Sequence, residues 1–522
     1  LLLLEHDIPI IMSLCTDILK TGRNIFLCLV VLTLTIRYVY HRWFKMRFAD
    51  NIPGPKGWPF IGSALDFRGS PSDMLSKLCQ YLQSSSVVNV WVGPKQYIFL
   101  TDPRDVEVIL GSNVHINKSS EYDLFKPWLG NGLLISNGEK WRSDRKLIAP
   151  TFHLNVLKNF VEFFNANSRE VVERLRNVKT NTFDCHDYMS ETTLEMLLET
   201  VMGVNKRTQG ERAYKYVRAV MKMCSILHSR HFKMWLTPDW VFKLSKYGRI
   251  QKEMLHIIHG LSNKVVTNKI LEWGNFAKFS KKSSITAEIP GEKKRVAFLG
   301  LLVEVSQNEN LITSQEIRDQ VDTIMFEGHD TTTSAASFFL SLMAAHPDIQ
   351  NKVARELYEI FGDSARPATF SDTLEMKYLE RCLLETLRLY PPVPFIARKI
   401  NEPVKLVSGD YILPPGCTVV VAPIMIHRRE DIYPNPNQYN PDNFLPERSS
   451  SRNYYAFVPF SAGPRNCIGR KYALLQLKIL LSTIMRNFHV RSHLTEKDFR
   501  LQGDVILKRA EGFQMSLEPR IN

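Results

Sequence analysis

From Ser314 to Ala345 the chain offers some thirty residues of helical spacing without a proline, opened by the capping box Thr313-Ser-Gln-Glu316 and stopped at His346-Pro347. At 1.5 Å per residue that is a rod of roughly 45–50 Å. Both flanks are apolar, so the rod has to cross a core rather than lie over it. Its middle breaks the pattern with Glu327-Gly328-His329-Asp330-Thr331-Thr332-Thr333. Glycine and threonine are poor interior helix residues, and two acids are costly to bury. Local sequence that disagrees with the global pattern is where function is expected. The plain alternative is a helix with one polar face toward solvent.

Around this rod, residues 140–390 read as mostly helical by apolar spacing. Alternating runs at Val87–Val92 and Gln96–Leu100, around Gly93-Pro94, predict a short β-hairpin. The expected fold is therefore mainly α with small β-sheets. A charged stretch at Lys281–Arg295, with Pro290-Gly291, reads as a surface loop. Length alone would suggest three or four domains, but only one clear linker is present. Ile25–Tyr40 is apolar except for Arg37 and falls a little short of the ~20 residues that span a bilayer. Arg37 can snorkel to the interface. Arg42, Lys45 and Arg47 follow, against Lys20 and Arg23 before, which puts the C-terminal bulk in the cytoplasm. A cleaved signal peptide would need a small-residue cleavage site, and none follows. The expected organisation is a luminal irregular segment (1–24), a transmembrane signal anchor (25–40), a basic, proline-rich linker (41–59) and one large domain (60–522). The chain opens Leu1-Leu2-Leu3-Leu4 without methionine, so the native start is expected to differ.

A net charge of +14 suits an anionic membrane surface, an acidic protein or nucleic acid. No zinc-finger spacing and no base-reading basic helix occur, so no nucleic acid is expected as a partner. The eight cysteines are scattered without a CxxC, which excludes a disulfide scaffold as the organising principle. One has a special setting, Phe460-Ser-Ala-Gly463-Pro-Arg465-Asn-Cys467-Ile-Gly469, followed by a helical pattern from Arg470. Glycines four before and two after permit a tight turn around one sulfur. Backbone N–H groups and the following helix N-terminus would favour a thiolate there. Arg465 is placed to pair with an anion close by. A deprotonated, screened sulfur tuned by hydrogen bonds is what an axial haem ligand requires.

Phe460–Gly469 resembles the haem-binding signature of the cytochrome P450 superfamily, with every fixed position filled. Glu385-Thr-Leu-Arg388, before Pro391-Pro392, resembles the superfamily's Glu-x-x-Arg pair. Phe444-Leu-Pro-Glu-Arg448 resembles the segment whose arginine completes that ion network, and Trp141-Arg-Ser-Asp-Arg145 the helix that meets a haem propionate. Glu-x-x-Arg alone is a weak signal; four motifs in order are a strong one. Glu327 before Gly328, with Pro391-Pro-Val-Pro-Phe-Ile396 before Arg398, resembles family 4, the microsomal fatty-acid ω-hydroxylase branch, in which that glutamate can esterify a haem methyl. The alternative for Glu327 is a retained acid, hydrogen-bonded and protonated in its apolar site.

The resemblance implies the triangular, α-rich haem-thiolate monooxygenase fold and haem b, with partial covalent attachment through Glu327. Cys467 is then the iron ligand, Gly328 lets the central helix open locally for dioxygen, and Asp330 and Thr331 relay protons. Trp141, Arg145, Arg398 and Arg465 are candidates for the propionates, and Phe460, Gly463 and Gly469 frame the thiolate. Glu385, Arg388 and Arg448 hold the cysteine loop. No dinucleotide or flavin fingerprint is present, so electrons must come from NADPH through a separate reductase, with cytochrome b5 as a second candidate donor. Arg470, Lys471 and Lys478 with Lys140, Arg142 and Lys146 are a candidate docking face. Phe125, Phe326 and Phe395 are candidate walls, equally readable as plain core. The implied location is the endoplasmic reticulum membrane, catalytic domain on the cytoplasmic face, and the substrate a lipophilic small molecule, best a fatty acid. Broader xenobiotic or steroid oxidation, a non-catalytic haem sensor and a reductase-independent isomerase stay open on the same fold.

Overall fold

The computed structural model describes residues 20–40, 51–58, 61–204, 210–282, 297–309 and 312–520. The first described helix, α1 (Lys20–Tyr40), is apolar and has no part of its length buried. It begins earlier than the expected anchor at Ile25, because Lys20 to Asn24 continue the helix despite their charge. Most of the expected luminal segment, the basic residues 41–50, Pro59 and the loop 283–296 lie outside the described residues.

The hairpin forms as expected. β1 (Val87–Val92) and β2 (Lys95–Leu100) pair antiparallel with Val87 opposite Leu100. Two later strands, β3 (Ile396–Lys399) and β4 (Thr418–Val421), complete a sheet of order β1-β2-β4-β3. β4 runs parallel to β2, with Tyr97 opposite Thr418, and antiparallel to β3, with Arg398 opposite Val419. Branched side chains at Val87, Ile98, Val419 and Val421 are fully buried, which is the half-buried pleated setting they favour.

Helices make up most of the rest, as the spacing predicts. We label α2 (Gly138–Ile148), α3 (Cys185–Thr200), α4 (Gly210–Phe232), α5 (Ser314–Ala345), α6 (Lys377–Leu389) and α7 (Arg470–Asn487). α5 is the predicted rod. Its capping box is formed, with Glu316 N donating to Thr313 Oγ1 at 3.2 Å and Thr313 N to Glu316 Oε2 at 3.0 Å. It ends at His346, where Pro347 disfavours a further helical residue. From Ile317 to Ala344 nearly every residue is buried, polar ones included, so the helix crosses the core. α3 and α6 pack against it. Two strands near the C-terminus, β5 (Leu501–Asp504) and β6 (Ile506–Arg509), form a tight hairpin tied to α5 by Ser334 Oγ donating to the Leu507 carbonyl at 2.6 Å.

Contrary to the expected opening, α5 stays helical through Gly328. The threonine hydroxyls bond back one turn, Thr331 to the Glu327 carbonyl (2.7 Å), Thr332 to Gly328 (2.8 Å) and Thr333 to His329 (2.7 Å). This satisfies hydroxyls that would otherwise be buried unpaired. The glycine answers to packing: a Cβ on it would stand 2.8 Å from Leu197 Cδ1 of α3.

Candidate active site

A cavity of about 470 Å³ lies between α5, α4, the cysteine loop and the β5–β6 tip. Cys467 is the only described cysteine that lines it. The loop closes by Cys467 N donating to the Phe460 carbonyl at 2.8 Å. Gly463 turns it at φ +69°, and a Cβ there would stand 1.9 Å from the Leu110 carbonyl oxygen, so the left-handed turn and the close approach both need glycine. Gly469 caps α7 and sends its backbone N–H toward the sulfur. Burial pushes the thiol up to about 11 and Glu327 adds to it, against the pull of the Gly469 N–H, Arg145 and Arg470. Without a cation at the sulfur the group is a neutral thiol.

α5 presents Ile324, Glu327, Gly328, Thr331, Thr332 and Ala335 to the cavity, a stripe at helical spacing. Glu327 is raised to about 6 by burial, against Lys118, Arg465 and Arg145. Phe125, Phe326 and Phe395 are cavity walls, with the first two rings 6.2 Å apart. Asp330 sits off the stripe. Its carboxylate pairs with Lys508 at 3.0 Å behind the wall. Burial pushes Asp330 up, but Lys508, His329 and His186 outweigh it and hold the carboxyl below its ordinary range.

A group of cations surrounds the Glu327 end. Arg145 donates to the Asn466 carbonyl (2.9 Å) and Oδ1 (2.7 Å), beside Cys467. Arg465 lies over the Trp141 ring at 5.1 Å and donates to the carbonyls of Ile116 (2.6 Å) and Leu134 (3.0 Å). Burial pushes Arg465 down to about 9. Arg398 is 2% exposed and donates to the Ala397 carbonyl at 3.1 Å. Lys118, which the sequence reading did not single out, belongs to the same group and is pushed well down by burial, Arg398 and Arg465. Among the described residues none of the four forms an ion pair with a carboxylate. Four cations gathered about the single carboxyl of Glu327, two of them buried, call for a further anion. An apolar cavity, an inward thiol and these cations fit haem b: Cys467 would hold the iron, and Arg145, Arg398, Arg465 and Lys118 its propionates.

Behind the cysteine loop lies the Glu385–Arg388 pair on α6, both side chains fully buried, with bonds of 2.7 Å from Nε and Nη2. Arg388 also donates to the carbonyls of His427 (2.7 Å), Pro436 (2.6 Å) and Gln438 (3.1 Å). Arg448 does not join them. It is exposed on the short helix Pro446–Ser449, and Glu385 is instead met by Asn440 N (2.8 Å) and Asn443 Nδ2 (3.1 Å). Arg452 supports Asn443 by donating to its carbonyl at 2.9 Å. His427 links the pair to the loop: Nδ1 faces the Arg388 carbonyl at 3.1 Å, and Nε2 accepts from Val458 N at 2.9 Å, two residues before Phe460. The expected docking face also shrinks. Lys478 is buried, donating to the Thr373 carbonyl at 2.8 Å and paired with Glu380, while Lys140 is engaged by Glu316 at 3.0 Å. Arg142, Lys146, Arg470 and Lys471 remain exposed.

Taken together, these features define a haem-thiolate enzyme. The Cytochrome P450 family model matches residues 52–517. The chain is 51% identical to Cytochrome P450 4g15 of Drosophila melanogaster, covering 96% of this chain and 98% of that protein. It is 45% identical to Cytochrome P450 4g1 of the same organism (96% and 95% covered) and 37% identical to human Cytochrome P450 4V2 (92% and 91% covered). The chain belongs to the cytochrome P450 family of monooxygenases and resembles its family 4.

Proposed function

We propose that the protein hydroxylates fatty acids or related lipids at or near the chain terminus, with electrons from NADPH delivered by a separate reductase. The observation that carries this reading is the cavity itself, an apolar volume with aromatic walls leading past Thr331 to Cys467. Terminal C–H bonds are harder to break than internal ones, so walls that admit only the chain end would set the position. The haem, when bound, supplies activation of dioxygen. Thr331 faces the cavity and Asp330 lies one residue behind as a carboxylate held by Lys508, so Asp330 would relay a proton only after taking one up from the Lys508 ammonium, which regains it from solvent, and would then pass it to the Thr331 side. Reconstitution with reductase, NADPH and a fatty-acid panel should give terminal hydroxy acids as the main products by mass spectrometry. Oxidation of foreign compounds or steroids with none of the fatty acids would overturn the reading.

Glu327 supports partial covalent attachment, because its carboxyl lines the cavity and, raised to about 6 by burial, is mostly carboxylate at physiological pH with a protonated fraction larger than an ordinary glutamate keeps. After turnover, acidic organic solvent should leave part of the haem on the polypeptide, and E327A should release all of it. Complete extraction from active wild-type enzyme would reject the ester.

The exposed basic residues Arg142, Lys146, Arg470 and Lys471 suit docking of an acidic reductase, with cytochrome b5 as a second donor. Helix α1 supports a membrane anchor. Trp235, Trp240 and Leu244, 66%, 70% and 78% exposed on one short segment, support a second contact with lipid. We assign the protein to the endoplasmic reticulum membrane, with the catalytic domain on its cytoplasmic face.

A further inference from the structure

A residue that lines the cavity carries a polar atom that the fold leaves unused. His228, on α4 and 8% exposed, lines the cavity. Its Nδ1 lies 3.1 Å from the Gly503 carbonyl oxygen and 3.7 Å from Asp504 Oδ1. Both neighbours are acceptors, so the proton of the neutral ring sits on Nδ1 and leaves Nε2 as an acceptor. Nε2 is buried and has no hydrogen-bond partner. Such an atom is unfavourable unless a ligand or a water answers it.

The ring is held in place from outside. The β5–β6 tip that supplies Gly503 carries Val505 at φ +72°, a conformation a β-branched residue adopts only under constraint, and constraint of this kind collects at ligand sites. Ser334 and the Lys508–Asp330 pair fasten that hairpin to α5.

The charges nearby decide what can bind. Burial pushes His228 below its ordinary range, partly offset by Asp504, so the imidazole is neutral. His231, also on the wall, is pushed down to about 4 by burial. Glu121 is already paired with Lys95 at 2.9 Å. Lys233, the cation acting on His228, bonds the Tyr247 hydroxyl at 2.7 Å and does not line the cavity. The wall cations Lys118, Arg145, Arg398 and Arg465 gather at the Glu327 end. A carboxylate head beside His228 would therefore face an Nε2 that cannot donate to it and, among the described lining residues on this side, the acid Glu121 rather than a free cation.

We propose that His228 Nε2 accepts a hydrogen bond from the polar end of the lipid substrate, and that this end is an uncharged donor, a hydroxyl, rather than a carboxylate. This rests on the lipid-hydroxylase reading and narrows its substrate class. The test titrates the haem-loaded full chain with a long-chain 1-alkanol, its methyl ether and the matching alkanoate, following the high-spin shift. The alkanol should bind about tenfold tighter than the ether, as one buried hydrogen bond predicts, and tighter than the alkanoate. H228F should erase that advantage. H228Q, whose amide can donate to Gly503 and accept from a hydroxyl, should keep most of it. Equal affinity of alkanol and ether in the wild type, or an advantage that survives H228F, overturns the inference and leaves the lipid reading standing. If none of the three shifts the spectrum, both fall together.

Discussion

Replacing Cys467 with alanine should remove the red-shifted Soret band of the reduced, carbon monoxide-treated protein and take turnover below detection. The substitution deletes the sulfur and little else. The backbone bond from residue 467 to the Phe460 carbonyl is unaffected, as is the Gly463 turn, so the loop keeps its shape. No other described cysteine lines the cavity and can substitute. The effect is large because the ligand's charge is at stake. Burial keeps the free thiol neutral, up to about 11, whereas a metal-bound thiol is deprotonated outright. Holding the iron would require Sγ to give up its proton, and the Gly469 N–H, with Arg145 and Arg470 nearby, would stabilise the resulting thiolate. A thiolate there would supply the bound haem with the electron density that favours O–O cleavage, and alanine would not. A band that persists unchanged in C467A would mean that the iron is held elsewhere.

The parts of this architecture that sequence makes legible are those whose requirement is local. A capping box, a two-strand alternation and the left-handed turn at Gly463 each announce themselves within one short stretch of chain. The direction of Asp330 was also readable, though the neighbouring threonines obscured it. Ile324, Glu327, Gly328, Thr331 and Ala335 fall on one face at a period of 3.6, and residue 330 falls well off it. Contacts made across long loops left no such trace. Arg448 and Asn443 sit five residues apart, and charge alone favours the arginine as Glu385's partner. The structure decides for Asn443 because Asn440 N and both Arg388 contacts already crowd the carboxylate. Lys118, His228 and His427 look like ordinary polar residues until the fold brings them against Arg398, Gly503 and Val458. Lys478 looked exposed for the converse reason: one helical face of α7 turns a lysine inward to Glu380.

Arg388→Leu should yield protein with little or no bound haem, whatever its expression level. Both members of the Glu385–Arg388 pair are fully buried, and removing one partner of such a pair costs about 3–5 kcal/mol. Typical domain stability is about 5–15 kcal/mol, so this loss is a large part of the whole. Leucine leaves Glu385 charged in the interior with two neutral donors, and frees the carbonyls of His427, Pro436 and Gln438 from their partner. The damage runs toward the iron site through His427, whose ring is clamped between the Arg388 carbonyl and Val458 N. Burial holds that imidazole neutral, pushed down to about 3, so Nε2 can keep accepting from the loop only while the ring stays in place. Lysine at 388 should not rescue, since one ammonium cannot reproduce the planar fork that meets Glu385 and three carbonyls. Asn443→Leu should weaken haem retention to a lesser degree, and Arg448→Leu, at an exposed position, should change stability by less than about 0.5 kcal/mol. Haem-to-protein ratio and thermal unfolding of the four variants order these effects. A normal ratio in R388L would show that the pair does not hold the cysteine loop, and equal losses in R448L and N443L would show that Asn443 is not the partner that supports Glu385.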